Sequence, residues 1–106
     1  PPQESWAING YWLYTSILNE SAGISRDDLM GKMMMNGVET RAVFFPLHEM
    51  PPYKVYKTKS TFENSDYISK QGISLPSSVN ITTEELDNIK HAIQTIFQSQ
   101  KIADHK

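Results

Sequence analysis

A chain of 106 residues, of which 39% are hydrophobic and 21% charged, is typical of one small globular domain and argues against disorder throughout. Its formal net charge of -2, with no stripe of lysine and arginine, gives no sign of a nucleic-acid or anionic-membrane surface. The absence of cysteine excludes disulfides, thiolate nucleophiles and cysteine zinc sites.

The sequence carries no membrane or export signal. No apolar run approaches the roughly 20 residues that cross a bilayer, and the N-terminal PPQESWAING lacks the basic and apolar regions of a signal peptide. Together with the absence of cysteine, this predicts a cytoplasmic protein without membrane contact. The chain does not begin with Met, as expected of an excised fragment, a processed chain or one that has lost a tag.

Residues 6–18, WAINGYWLYTSIL, are rich in aromatic and β-branched residues and predict a strand. Neither face of this strand is polar, so both are expected to be covered, one by the domain's helices and the other by a second body. Ser25 as N-cap and Gly37 as a left-handed terminator then predict a helix. The methionines of KMMMNG within it are compatible with a cofactor or partner groove, but their ordinary helical spacing favours core packing.

The segment VETRAVFF predicts a second strand that stops at Pro46, and residues 46–61 look irregular. FENSDYISKQG predicts a short helix ending at Gly72, and ISLPSS a brief extended segment. Thr82 and Glu85 form a capping box for a last helix, whose apolar stripe consists of Leu86, Ile89, Ile93, Ile96 and Phe97. The tail KIADHK is expected to fray. This order predicts an α+β domain with a small, largely antiparallel sheet.

Motifs of chemistry are scarce. The glycines stand singly, so a phosphate-binding loop is absent. No metal site is predicted, because His48, His91 and His105 are far apart and no H-E-x-x-H or comparable pair of ligands occurs. No catalytic residue is assigned to the chain.

The segment TRAVFFPLHEMPPY, residues 40–53, is the best candidate for a site. Arg41 stands next to the apolar residues VFF. Its guanidinium group is either buried and paired with an anion, or at a strand edge where its aliphatic stem lets it reach water. Residue chemistry leaves both alternatives open. His48 follows a strand end among apolar residues, a setting in which a lone histidine is more often structural than catalytic.

Taken in order, the blocks YWLYTSIL, GISRDDLMGKMMMNGVETRAVFFPLHEMPPY, SDYISKQGISLPSS and ITTEELDNIKHAI resemble the C-terminal part of the DegT/DnrJ/EryC1/StrS sugar aminotransferases. The resemblance covers nearly all of residues 6–97. The sequences YWLYTSIL, PLHEMPPY and GISLPSS are most similar to those of the perosamine synthetase branch of this family.

This resemblance implies the minor domain of an aspartate-aminotransferase-type fold, with residues 1–106 as a single C-terminal domain. The parent enzyme would use pyridoxal phosphate to move an amino group from glutamate to a keto sugar carried on a nucleotide, and would be a homodimer. The family places the Schiff-base lysine and the phosphate-binding groups in a large N-terminal domain, whose motifs this chain lacks. The fragment alone is therefore expected to be inactive.

By the same resemblance, Arg41, Phe45 and His48 are the leading candidates for substrate contacts. Arg41 would pair with an anion, Phe45 would supply an apolar face, and His48 would supply a hydrogen bond. Tyr11 and Tyr53 are weaker candidates. The competing hypothesis is a free-standing α+β module without catalytic activity, whose aromatic loop binds a peptide or protein.

Overall fold

The computed structural model describes residues 3–58 and 61–104. Its helices and strands are β1 (Tyr14–Ile17), α1 (Arg26–Met35), β2 (Arg41–Ala42), α2 (Glu63–Gln71), β3 (Gly72–Leu75) and α3 (Thr83–Asp104). Three 3-10 turns lie at Glu20–Ala22, Leu47–Glu49 and Pro51–Tyr56. The predicted α+β class is confirmed. Among the described residues, no helix is both long and apolar enough to cross a bilayer.

The three strands form one sheet in the order β1-β3-β2, and both neighbours run antiparallel to β3. The strand that comes last in the chain is thus the central one. Its residue Ser74 pairs with Thr15 on one side and with Arg41 on the other. Because cross-strand partners share a face, these three side chains form a row on the face opposite to Ile73.

The core lies on the Ile73 face of the sheet, under α1 and α3. Its buried members are Leu18, Leu29, Met33, Val38, Ile73, Ala92 and Ile96. Met33 is fully buried, whereas Met34 and Met35 are exposed, so the methionine run contributes one side chain to the centre of the core. Leu86, at the start of the predicted stripe of α3, is half exposed.

The helix caps form as the sequence predicts. The Ser25 hydroxyl accepts a hydrogen bond from the Asp28 amide at 3.1 Å, and Gly37 ends the turn after α1 with φ +79°. At the start of α3, the Thr82 amide donates to Glu85 Oε2 at 2.8 Å and the Glu85 amide donates to Thr82 Oγ1 at 3.1 Å. This reciprocal pair is the capping box.

Arg26 ties the start of α1 to the junction of α2 and β3. Its Nη1 donates to the Ser69 carbonyl at 2.8 Å and to the Gly72 carbonyl at 2.9 Å, while its Nε donates to Asp27 at 2.7 Å. The side chain is largely buried, so these carbonyls would otherwise lack part of their hydrogen bonding. A cation here also lies favourably at the carbonyl end of α2.

Gly72 is the point where α2 passes directly into β3. Its amide donates to the Ile68 carbonyl, and its carbonyl accepts from the Val43 amide at 3.4 Å. A Cβ at this position would run into Val43 Cγ2 and the Ile68 carbonyl oxygen. The glycine therefore permits the close approach of β2 to the helix end, and its φ of -82° shows that conformational freedom is not the reason.

The predicted strand over residues 6–18 is wrong in length, since β1 covers only Tyr14–Ile17. Pairing sets this limit. Tyr14 is opposite Leu75, the last residue of β3, and Pro76 follows without an amide hydrogen to extend the ladder. Residues before β1 take irregular backbone, and Tyr11 has a positive φ of 50°.

One further expectation is corrected. VETRAVFF forms only the two-residue β2, since in this register Phe44 and Phe45 would face residues that already belong to α2. Residues 101–104 of the tail KIADHK are helical, and α3 ends at Asp104. His105 and residue 106 lie outside the described residues.

Gly72→Ala is expected to lower the free energy of unfolding by about 1–3 kcal/mol, because the added methyl group must displace Val43 or the Ile68 carbonyl. Urea unfolding followed by circular dichroism measures the change. Gly31→Ala is the matched control: nothing lies within 4 Å of its Cβ position, and in the exposed part of α1 the change should stabilise by about 0.5–1 kcal/mol. Equal effects of the two substitutions would contradict the close-approach argument.

Candidate functional site

The predicted site residues separate into two groups. Arg41 and Phe45 are exposed, the first on β2 and the second just beyond it, and Tyr11 is exposed on the segment before β1. The Tyr11 hydroxyl accepts a hydrogen bond from Gln3 Nε2 at 3.1 Å. His48 and Tyr53 lie instead in the two 3-10 turns that follow Pro46.

The imidazole of His48 is held by contacts on its face and its edge. Its ring stacks on Phe62 with a centroid distance of 4.4 Å and an interplanar angle of 18°. Its Nε2 donates to Asp66 Oδ1 at 2.8 Å, since a carboxylate has no proton to give. The side chain is only 9% exposed, so His48 is fixed rather than a freely rotating surface residue.

A cavity of about 430 Å³ opens beside this imidazole. Its lining is aromatic and apolar apart from a lysine and a serine, and it comprises Leu47, His48, Tyr53, Tyr56, Lys57, Phe62 and Ser65. The structure thus brings His48 and Tyr53 to one cavity. Arg41, Phe45 and Tyr11 are not among the residues of its lining.

The sequence prediction did not include Phe62 and Asp66, although both contact His48. They are four residues apart at the start of α2, where the Asp66 amide donates to the Phe62 carbonyl at 2.9 Å. Such spacing places two side chains on one side of a helix. The spacing of Phe62 and Asp66 was the sequence signal for a pair of side chains that could contact one histidine. Because both are more than ten residues from His48 in the sequence, the signal did not identify that histidine.

A second feature is a set of six exposed aromatic side chains, which we call the aromatic surface: Trp6, Tyr11, Trp12, Tyr14, Phe44 and Phe45. They come from the segment before β1, the first residue of β1 and the segment after β2. Within this set, the Trp12 and Phe44 rings lie 6.2 Å apart. Each member of the set is at least 59% exposed. Exposed apolar side chains grouped on a soluble domain are typical of interaction surfaces.

The family model of the DegT/DnrJ/EryC1/StrS aminotransferase family matches residues 1–94. The chain belongs to this family. It is 30% identical over 95 residues to the GDP-perosamine synthase of Vibrio cholerae, covering 90% of this chain and 26% of that protein. With the GDP-perosamine synthase of Caulobacter vibrioides it shares 29% identity over 87 residues, covering 82% of this chain and 23% of that protein. The chain therefore spans about a quarter of the length of these relatives.

Solved aminotransferases share its fold. Helicobacter pylori PseC, an aminotransferase of pseudoaminic acid biosynthesis, superposes with a TM-score of 0.70 at 18% identity, over 82% of this chain and 24% of its own. The aminotransferase TlmJ from Streptoalloteichus hindustanus superposes with a TM-score of 0.73 at 16% identity, and the match covers 100% of this chain and 26% of TlmJ. The fold expected from the family resemblance is confirmed.

Pyridoxal phosphate is the cofactor that membership of this family implies, but the described residues do not form a site for it. A Schiff-base lysine needs a desolvated amine beside the cofactor. Every lysine that the structure describes is exposed, and Lys57, which lines the cavity, pairs with Glu49 at 3.1 Å. We therefore derive no step of catalysis through the cofactor from this chain.

If the aromatic surface lies outside the core, its side chains should contribute little to the stability of the chain alone. Phe45→Ala is expected to change the free energy of unfolding by no more than about 0.5 kcal/mol. Ile73→Ala, which removes a core side chain from β3, should cost about 2–5 kcal/mol. Denaturant titration of both variants measures the difference, and a loss at Phe45 as large as that at Ile73 would place Phe45 in the core.

Proposed function

We propose that this chain is the small C-terminal domain of a larger pyridoxal-phosphate-dependent aminotransferase, which transfers an amino group from glutamate to a keto sugar carried on a nucleotide. The family match, and the similarity to two GDP-perosamine synthases of which the chain spans about a quarter, support this activity for the parent protein. The Schiff-base lysine and the cofactor site belong to a large domain outside this chain. The parent is a cytoplasmic homodimer.

The observation that carries the domain assignment is the aromatic surface. Trp6 is 81% exposed, Trp12 73% and Phe45 68%, and no part of the described chain packs over them. Leaving such side chains in water forgoes roughly 1.5–3 kcal/mol for each large apolar group. A second domain packed over this surface would recover that stabilisation, which agrees with the short length of the chain beside its relatives.

Two members of this surface, Tyr11 and Phe45, are also among the residues proposed to meet the substrate. Arg41, exposed and in the row with Ser74 and Thr15, would bind an anion of the nucleotide sugar or the carboxylate of glutamate. Phe45 would supply an apolar wall. His48 offers Nδ1 as its hydrogen-bonding atom toward a ligand, because Nε2 is held by Asp66. Tyr53 lines the cavity beside His48, and Tyr11, which lies outside that lining, is a weaker candidate for a substrate contact.

The proposal is tested by comparing this chain with the longer polypeptide that contains it. With glutamate, pyridoxal phosphate and a keto sugar nucleotide, the longer polypeptide should form the amino sugar, whereas this chain alone should not. Arg41→Ala in the longer polypeptide should lower kcat/KM for one of the two anionic substrates by about 10-fold to 100-fold, as expected for loss of a charged hydrogen bond.

Lys90→Ala, at an exposed position of α3, is the control for removing a positive charge and should leave kcat/KM unchanged. Turnover by this chain alone would refute the domain assignment. Absence of transfer by the longer polypeptide would refute the proposed reaction, and an Arg41→Ala enzyme with normal kcat/KM would refute only the role of that residue.

A further inference from the structure

Three side chains from two parts of the chain, His48, Glu49 and Asp66, lie close together. His48 and Glu49 lie in the 3-10 turn at Leu47–Glu49, and Asp66 lies in the first half of α2. His48 Nε2 is 2.8 Å from Asp66 Oδ1 and 3.8 Å from Glu49 Oε1. One nitrogen and two carboxylate oxygens, no two of them more than 4.8 Å apart, therefore surround one point.

The imidazole of His48 serves only one of the two carboxylates in this cluster. In a neutral imidazole, Nε2 carries a single N–H, which serves the nearer carboxylate of Asp66. Glu49, although it faces the same nitrogen, takes its hydrogen bond from Lys57 Nζ at 3.1 Å instead. The cluster thus has more acceptors than it has donors of its own, and Lys57, whose side chain is 44% exposed, is a replaceable cation.

The donor set suits a zinc ion. Zinc binds imidazole nitrogen and carboxylate oxygen at about 2.0–2.2 Å, so three tetrahedral ligands stand about 3.4 Å from each other. The two nitrogen-to-oxygen separations, 2.8 and 3.8 Å, lie on either side of this value, and the two carboxylate oxygens are within 4.8 Å of each other, so binding requires the carboxylates to rotate toward a common point. Stacking on Phe62 already fixes the plane of the imidazole, as an outer-shell group does for a metal-bound histidine.

We propose that His48, Glu49 and Asp66 bind one Zn²⁺ ion, through Nε2, Oε1 and Oδ1 respectively, with a fourth position open to water. Binding uses the neutral tautomer with its proton on Nδ1 and displaces Lys57 from Glu49. The ion joins the turn at Leu47–Glu49 to α2, two elements that are distant in sequence and that form the wall beside the cavity. The zinc site shares His48 with the substrate contacts proposed above, but its argument does not rest on the proposed aminotransferase function.

The test is a calorimetric titration of ZnCl₂ into the tag-free, metal-free chain, with thermal unfolding of the same samples. We expect one ion bound per chain and a rise in Tm with zinc concentration, because the ion binds the folded arrangement. His48→Gln and Asp66→Asn should each weaken binding by at least about tenfold. Lys57→Met, which removes the competing ammonium group, should tighten it by up to about fivefold.

His91→Gln removes an exposed histidine of α3 and should leave zinc binding unchanged. Unfolding of each variant without zinc shows whether it folds. Glu49→Gln, which changes a partly exposed ligand, provides a second loss-of-ligand variant should His48→Gln not fold. Absence of binding by the unaltered chain, binding that survives loss of His48 or Asp66, or weaker binding by Lys57→Met would each overturn the site.

Discussion

The fold depends on the close approach of β2 to the end of α2 at Gly72. Only a residue without Cβ lets Val43 and the Ile68 carbonyl occupy their positions there. The same residue starts the central strand, and its carbonyl accepts hydrogen bonds from Val43 and from Arg26. Sheet, α1 and α2 are therefore joined at one backbone position, and the remaining elements are placed relative to it.

Two consequences for the site follow from this junction. Because α2 passes into β3 without a linker, fixing the strand also fixes Phe62 and Asp66, and these hold His48. The sheet is narrow, and the residues of the aromatic surface lie at or beyond the ends of its strands, outside the buried core cluster. The chain therefore holds His48 in a fixed position while it leaves the aromatic surface exposed. This combination is expected of a domain that packs against a second domain.

Local features were predictable from the sequence, and features set by pairing across the chain were not. The caps at Ser25, Gly37 and Thr82 depend on hydrogen bonds within a few residues, so their pattern was sufficient. The length of β1 depends on where β3 ends at Pro76, and composition does not contain that information. For the site, the sequence indicated His48, but not its partners, because a contact with Asp66 requires the position of α2 to be known.

The central claim is that the aromatic surface is covered by the rest of a longer aminotransferase, and the two tryptophans of the chain report on it directly. Trp6 and Trp12 both belong to this surface. Acrylamide quenching should be measured on this chain and on the longer polypeptide, in each case as the difference from a variant with Trp6→Phe and Trp12→Phe. The account predicts strong quenching in the chain alone and several-fold weaker quenching in the longer polypeptide; equal quenching in both would contradict it.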